Sequence, residues 1–384
     1  MTTPFIPCSR IVRHAGLLFV SSLLSVVAAA QSFNPGAGFG IESNIMAGKL
    51  IKHTQKIKGP IPDLSTAVEI NFVQQTDGRK AWQQRRHYPL WGFGFTYTNY
   101  GIDSIYGKCL AMYPNLQFPL IRSKNFEWTI RAGFGIGYVT RRYERFPGYD
   151  TLNTAIGSHI NNFTLFSTDL RYHANEHLDI QAGFNFSHMS NAALKQPNLG
   201  LNMYGAHIGI RYFPVTSRPE RIARKLAPLK NRWLVQARAS MAFTESGSAN
   251  GPLYPIYMGA VFASKRWRSK NKMYAGVDYS YHTNIEAFLK NNEIYPGREK
   301  ASSWKSAVFV GNEFLFGRVG IVLQVGYYIK QAYLHLDPYY QKLGGNFYLV
   351  QQEKGPVKEL FFSALLKTHK TQAELAEIGI GIGL

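Results

Sequence analysis

The chain is poor in cysteine, in long apolar runs and in acidic residues. With Cys8 and Cys109 as its only cysteines among 384 residues, it cannot be a small disulfide-stapled scaffold. Past the first thirty positions no run approaches the roughly 20 apolar residues a spanning helix needs, which excludes a bundle of membrane helices. Sustained helical periodicity is also missing. Acidic residues number 23 against 43 Lys and Arg, a formal charge of +20, and such an imbalance suggests an acidic partner.

The N-terminus reads as an export signal. Arg10, Arg13 and His14 give a basic start, an apolar stretch runs from Leu17 to Val27, and Ala28, Ala29 and Ala30 precede Gln31. The stretch is short for an anchor, so residues 1–30 are expected to be removed. Cleavage takes Cys8, leaves Cys109 without an internal partner, and lowers the charge to +18 by removing Arg10 and Arg13. Export argues against nucleic acid as the acidic partner. Phosphorylated lipid at a membrane rim is the natural alternative, unless the charge serves solubility alone.

Aromatic residues and glycine are abundant, with 23 Tyr, 25 Phe and 35 Gly. What recurs is strict two-residue alternation. Over 126–138, Phe126, Trp128, Ile130, Ala132, Phe134, Ile136 and Tyr138 alternate with Glu127, Thr129, Arg131, Gly133, Gly135 and Gly137. Met273, Ala275, Val277, Tyr279 and Tyr281 repeat the pattern, as do Ile321, Leu323, Val325, Tyr327 and Ile329, and finally Ile378, Ile380, Ile382 and Leu384. A soluble sandwich alternates too. The strand lengths, near the 9–11 residues of a tilted membrane crossing, and the mixture of Gly with charge on the opposite face favour an all-β, transmembrane, antiparallel up-and-down barrel, since only a closed sheet satisfies every backbone group in lipid.

Candidate strands fall near 38–50, 64–76, 90–100, 108–122, 126–142, 159–173, 177–190 and 201–213, and then near 232–244, 253–267, 272–283, 303–317, 319–332, 358–368 and 372–384. Single-chain barrels usually take even numbers, so about 14 strands are expected, with 12 to 16 open. The expected organisation is a signal peptide over 1–30 and a barrel over 31–384. Within the barrel, 31–213 carries the site and 231–384 adds strands. Between them 214–230, with Pro214, Pro219 and Pro228 among Arg218, Arg221, Arg224 and Lys225, is a basic linker, read as a solvated turn in preference to an amphipathic surface helix. The stretch 285–303 reads as a loop.

One strand breaks the apolar pattern. Ala182, Phe184 and Phe186 share a face that continues into His188 and Ser190, and the next strand opens its apolar face (Tyr204, Ala206, Ile208, Ile210, Tyr212) with Asn202. Three polar groups on a lipid-facing wall are costly unless they bond one another. Ser needs a base to become a nucleophile, His can serve near neutral pH, and Asn can accept the other ring N–H and fix the tautomer. Backbone N–H groups from Asn191 and Ala192 onward are candidate oxyanion donors. The bland alternative is a pair of interfacial residues at a strand end. His173 and His177 flank a turn and read as a surface pair; Gly133, Gly135 and Gly137 sit at strand spacing and read as lumen packing.

The run Ser187-His188-Met189-Ser190-Asn191-Ala192-Ala193-Leu194-Lys195-Gln196-Pro197-Asn198-Leu199-Gly200-Leu201-Asn202 resembles the motif of the lipid A 3-O-deacylase family (PagL-type), H-x-S-N-A-G-hydrophobic-x-x-P-N-x-G-hydrophobic-E. The resemblance implies an outer-membrane esterase that removes the acyl chain at the lipid A 3-position. His188 would be the base, Ser190 the nucleophile, and Asn191 a neighbour of the oxyanion. Asn202 falls where the motif has Glu, which puts catalytic power in question rather than geometry. Outer-membrane phospholipase A is similar in its H-x-S-N core and carries Asn as third member; it uses calcium and dimerises. No acidic cluster near 188–202 supports calcium here, so no cofactor and no metal are expected, and a homodimer stays open. The rival reading is a non-catalytic, porin-like or structural barrel. If the mature N-terminus starts in the periplasm, the seventh strand ends at the cell surface, where lipopolysaccharide sits.

Overall fold

The computed structural model describes residues 37–145, 150–215, 219–226, 231–245, 249–267, 270–331, 333, 337–370 and 372–384. The expected signal segment 1–30 lies outside the described residues.

Alternation produces strands wherever it was read. The first group is β1 (Phe39–Leu50), β2 (Ser65–Gln75), β3 (Leu90–Asn99), β4 (Lys108–Arg122), β5 (Phe126–Val139), β6 (Ile160–His173), β7 (Leu178–Ser190) and β8 (Leu201–Tyr212). The second is β9 (Trp233–Glu245), β10 (Leu253–Trp267), β11 (Asn271–His282), β12 (Trp304–Phe316), β13 (Val319–Gln331), β14 (Tyr339–Gln351), β15 (Glu359–His369) and β16 (Gln372–Gly383). All neighbours pair antiparallel. The sheet closes twice, β1 onto β8 and β9 onto β16, giving two eight-stranded barrels in place of one wide one. The total of 16 sits at the upper end of the expected range.

The strand absent from the sequence reading is β14. Its inward face carries Tyr340 and Tyr348, both fully buried, while Gln341 and Gly345 lie on the opposite face. A register shift at Tyr348/Val350 further breaks the period. Two short helices also depart from expectation. The first, α1 (Ala81–Arg85), interrupts the β2–β3 connection, and α2 (Thr283–Asn291) overlaps the start of the 285–303 stretch read as a loop. The described part of 214–230 has no helix or strand.

Burial settles which face looks out. On β5, Phe126, Trp128 and Ile130 are 42–48% exposed, whereas Glu127, Thr129 and Arg131 between them are 0–6% exposed. A protein dissolved in water would reverse this arrangement; the apolar belt is the membrane-facing surface of an outer-membrane barrel. Inside the first barrel the charged residues pair. Arg171 reaches Glu42 at 3.1 Å, Arg131 binds Glu69, His207 meets Asp169 at 2.8 Å, and Arg211 holds Asp179. The second barrel repeats the principle with Lys272 on Glu313 and Glu359, both at 2.9 Å, and Lys342 on Asp278 at 3.0 Å. Eight strands leave an interior that side chains can fill, so neither barrel is built as a wide pore. Gly133 leaves room for the Tyr113 ring, which a Cβ there would meet at 2.6 Å, and Gly135 lets β4 approach, since a Cβ there would come within 2.0 Å of the Met112 carbonyl oxygen.

The barrels touch at both ends. Away from the site, Trp82 of α1 packs edge-on to Phe316, and Arg86 bonds Asn271 Oδ1 at 3.2 Å and the carbonyl oxygens of Lys270 and Leu315. At the site end, Thr244 and Glu245 at the tip of β9 meet the β7–β8 loop.

Candidate active site

The site end of the first barrel is held from within. Met189 points into an apolar cluster with Tyr100, Cys109, Tyr113, Phe163, Leu201 and Met203 that fills the lumen there. Anchoring Met189 inward forces its neighbours, His188 and Ser190, onto the outward side of β7. Cys109 is buried in the same cluster as a free thiol.

Register brings the remaining groups together. His188 is directly opposite Asn202 on β8 and Thr164 on β6, and Ser190 is opposite Asn162. The His188 ring nitrogen Nδ1 and Asn202 Oδ1 are 2.5 Å apart. An amide oxygen only accepts, so Nδ1 carries the proton and Nε2 is left as the free base. Asn202 Nδ2 in turn donates to His53 Nδ1 at 3.0 Å, and His53 Nε2 donates to the Leu199 carbonyl at 2.9 Å. Each link has one donor and one acceptor, which fixes the orientation of the Asn202 amide. Ser190 is 4% exposed; among the described hydrogen bonds none joins it to His188, the looser arrangement that a substrate-free site commonly has.

The loop after Ser190 is tightly cross-braced. Asn191 donates its backbone N–H to Asn198 Oδ1 at 2.8 Å, and its Nδ2 to Ser158 Oγ at 2.9 Å. Of the two candidate oxyanion donors, the Asn191 N–H is therefore engaged within the loop. Ala192 and Ala193 both have positive φ, 54° and 61°, a region that disfavours residues with a Cβ. Ala193 stands where the motif quoted above has Gly. Gly200, at φ 83°, lies against the His188 ring; a Cβ there would come within 3.0 Å of Cε1, so only glycine leaves the imidazole its place.

His53, Asn162 and Thr164 went unread in the sequence. For the pair on β6 the signal was available: the outward face Ile160, Asn162, Thr164, Phe166 turns polar at the same height as His188. His53 lies in a connection without periodicity. His173 and His177 take separate partners, Asp179 Oδ1 and the Phe213 carbonyl, each at 2.7 Å. Among the described residues no His, Cys, Asp and Glu group is arranged to hold a metal.

Comparison with known proteins adds two family matches. Residues 66–211 match the sequence model of lipid A 3-O-deacylase (PagL), and residues 231–384 match that of the acyloxyacyl hydrolase C-terminal domain. No curated protein matches the chain. Among solved structures, Neisserial surface protein A is 12% identical, covering 46% of this chain and 97% of that one with a TM-score of 0.33. The outer-membrane enzyme PagL is 18% identical, covering 44% and 97%, with a TM-score of 0.30. The two family matches lie one on each barrel and together span most of the sequence: the chain belongs to the lipid A 3-O-deacylase and acyloxyacyl hydrolase family of outer-membrane β-barrels, hydrolases of ester-linked acyl chains.

Proposed function

We propose that this chain removes the 3-O-linked acyl chain of lipid A from the outer leaflet, with Ser190 as nucleophile, His188 as base and Asn202 as the residue that orients His188. The observation carrying the reading is the 2.5 Å bond between His188 Nδ1 and Asn202 Oδ1 on the outward, largely apolar wall of the first barrel. It leaves Nε2 as the basic nitrogen of a histidine two positions before a serine on the same strand face.

Ser190 Oγ attacks the ester carbonyl while its proton passes to His188 Nε2. The tetrahedral oxyanion takes the Ala192 N–H as donor. Collapse expels the sugar hydroxyl, protonated by His188, and leaves an acyl group on Ser190. Water, deprotonated by His188, then attacks the acyl-serine and releases the hydroxy fatty acid. A neutral Asn stabilises the imidazolium less than a carboxylate would, and the His53–Asn202 bond compensates in part by polarising the amide toward His188.

The substrate's phosphates have counterparts close by. Lys49 is on the outward side of β1 opposite Tyr204, next to the Ile51 N–H that bonds the Asn202 carbonyl, and Lys52, Lys56 and Lys58 follow in the same connection. Such a rim suits an anionic head group.

Mass spectrometry of lipid A from cells with and without the protein tests the reading. The expected outcome is the loss of one hydroxyacyl chain. Unchanged lipid A accompanied by lysophospholipid release would instead assign a phospholipase, the reading that Asn in third place favours. Neither change would leave an inert barrel.

A further inference from the structure

The loop that follows the nucleophile is not held by its own barrel alone. Glu245 closes β9 in the second barrel, and its side chain is 0% exposed. One carboxylate oxygen accepts from Lys195 Nζ at 2.7 Å, and the other accepts the Gln196 backbone N–H, also at 2.7 Å. Its neighbour Thr244 donates through Oγ1 to the Ala193 carbonyl at 3.2 Å. The three contacts fall on Ala193, Lys195 and Gln196, three to six positions after Ser190. They grip the part of the loop whose backbone is hardest to hold: Ala193 has positive φ, as does Ala192 before it, and a Cβ-bearing residue keeps that conformation only where its surroundings over-determine it. Ala192 is also the residue whose N–H faces the developing oxyanion in the esterase reading. The contacts at the far end of the interface, by contrast, involve Trp82 and Arg86, which belong to a connection remote from the site.

We infer that Glu245 is a positioning residue for deacylation: it clamps the 193–196 segment through Lys195 and the Gln196 amide, and so makes the second barrel a working part of the esterase. The inference rests on the esterase reading above. Its chemistry is that of a buried carboxylate satisfied by a backbone N–H and an ammonium. Removing it leaves the loop free to relax out of the left-handed conformation, which displaces the Ala192 N–H from the oxyanion while the lipid-facing wall that binds acyl chains is untouched. A displacement on the scale of an ångström at such a point is costly to turnover.

The test uses the full chain refolded in detergent micelles with lipid A as substrate. Glu245→Ala is expected to lower kcat about 10- to 100-fold with KM nearly unchanged, and to speed hydrogen exchange at the Gln196 amide. Glu245→Gln, which keeps one oxygen for the Gln196 N–H, should recover most of the lost turnover. A Glu245→Ala protein turning over within about twofold of the parent overturns the proposal. Should that variant fail to fold, Lys195→Met, which retains the Gln196 contact, carries the test: kcat is expected to fall several-fold, and an unchanged kcat overturns the clamp. If the parent protein itself has no esterase activity, the esterase reading fails. The exchange measurement then still decides whether Glu245 holds the loop, with unaltered Gln196 exchange in Glu245→Ala counting against it.

Discussion

Replacing Ser190 with alanine should lower lipid A deacylation by about four orders of magnitude or more, His188→Ala should do the same, and the double replacement should be no worse than either alone. The non-additivity follows from the geometry. Without His188 the serine hydroxyl keeps its proton; without Ser190 the imidazole has nothing to deprotonate except water. Asn202→Ala should cost less than either, because it removes the group that sets the tautomer and leaves the base in place. All three side chains lie on the outer wall, so the barrel and its heat-modifiable mobility on gels should be unaffected. Additive losses, with the double variant far below each single one, would mean that His188 and Ser190 act separately.

The second large effect concerns stability and lies in the lumen. Glu42→Ala should destabilise the first barrel by about 3–5 kcal/mol. Glu42 is fully buried and accepts from Asn71 Nδ2 at 2.6 Å, Gln117 Nε2 at 2.8 Å and Arg171 Nη2 at 3.1 Å. Arg171 is itself 0% exposed. Deleting the carboxylate strands a guanidinium in a closed interior, and an uncompensated buried charge costs far more than the net worth of the pair. Glu42→Gln, which keeps an acceptor of the same shape, should cost less. The urea midpoint of the refolded protein in detergent measures both. A loss below about 1 kcal/mol for Glu42→Ala would show that water enters the lumen and solvates Arg171.

Much of this architecture was readable from the amino acids, for a definite reason. Alternation reports which face a side chain takes, so β5 and β16 were visible directly, and the polar trio His188, Ser190 and Asn202 stood out because it interrupts a greasy face. What alternation cannot report is which strand closes on which. The break around 214–230 marks the junction where one sheet closes and the next begins, yet nothing in its composition distinguishes a junction from a long turn. β14 escaped because Tyr340 and Tyr348 turn aromatic rings inward to pack over Lys342 and Lys272, which blurs the contrast between the faces. His53 and Glu245 reach the site neighbourhood from elements far away in sequence, one in an aperiodic connection and the other across the interface between barrels. Such meetings are products of closure and docking, and no local pattern encodes them.

The esterase account is tested most directly by treating the intact protein in detergent with an alkyl fluorophosphonate and locating the adduct by peptide mass spectrometry. A serine activated by its histidine is expected to carry the phosphonyl group on Ser190, and His188→Ala should abolish the labelling. An unmodified Ser190 in protein that deacylates lipid A, or labelling that persists without His188, would contradict it.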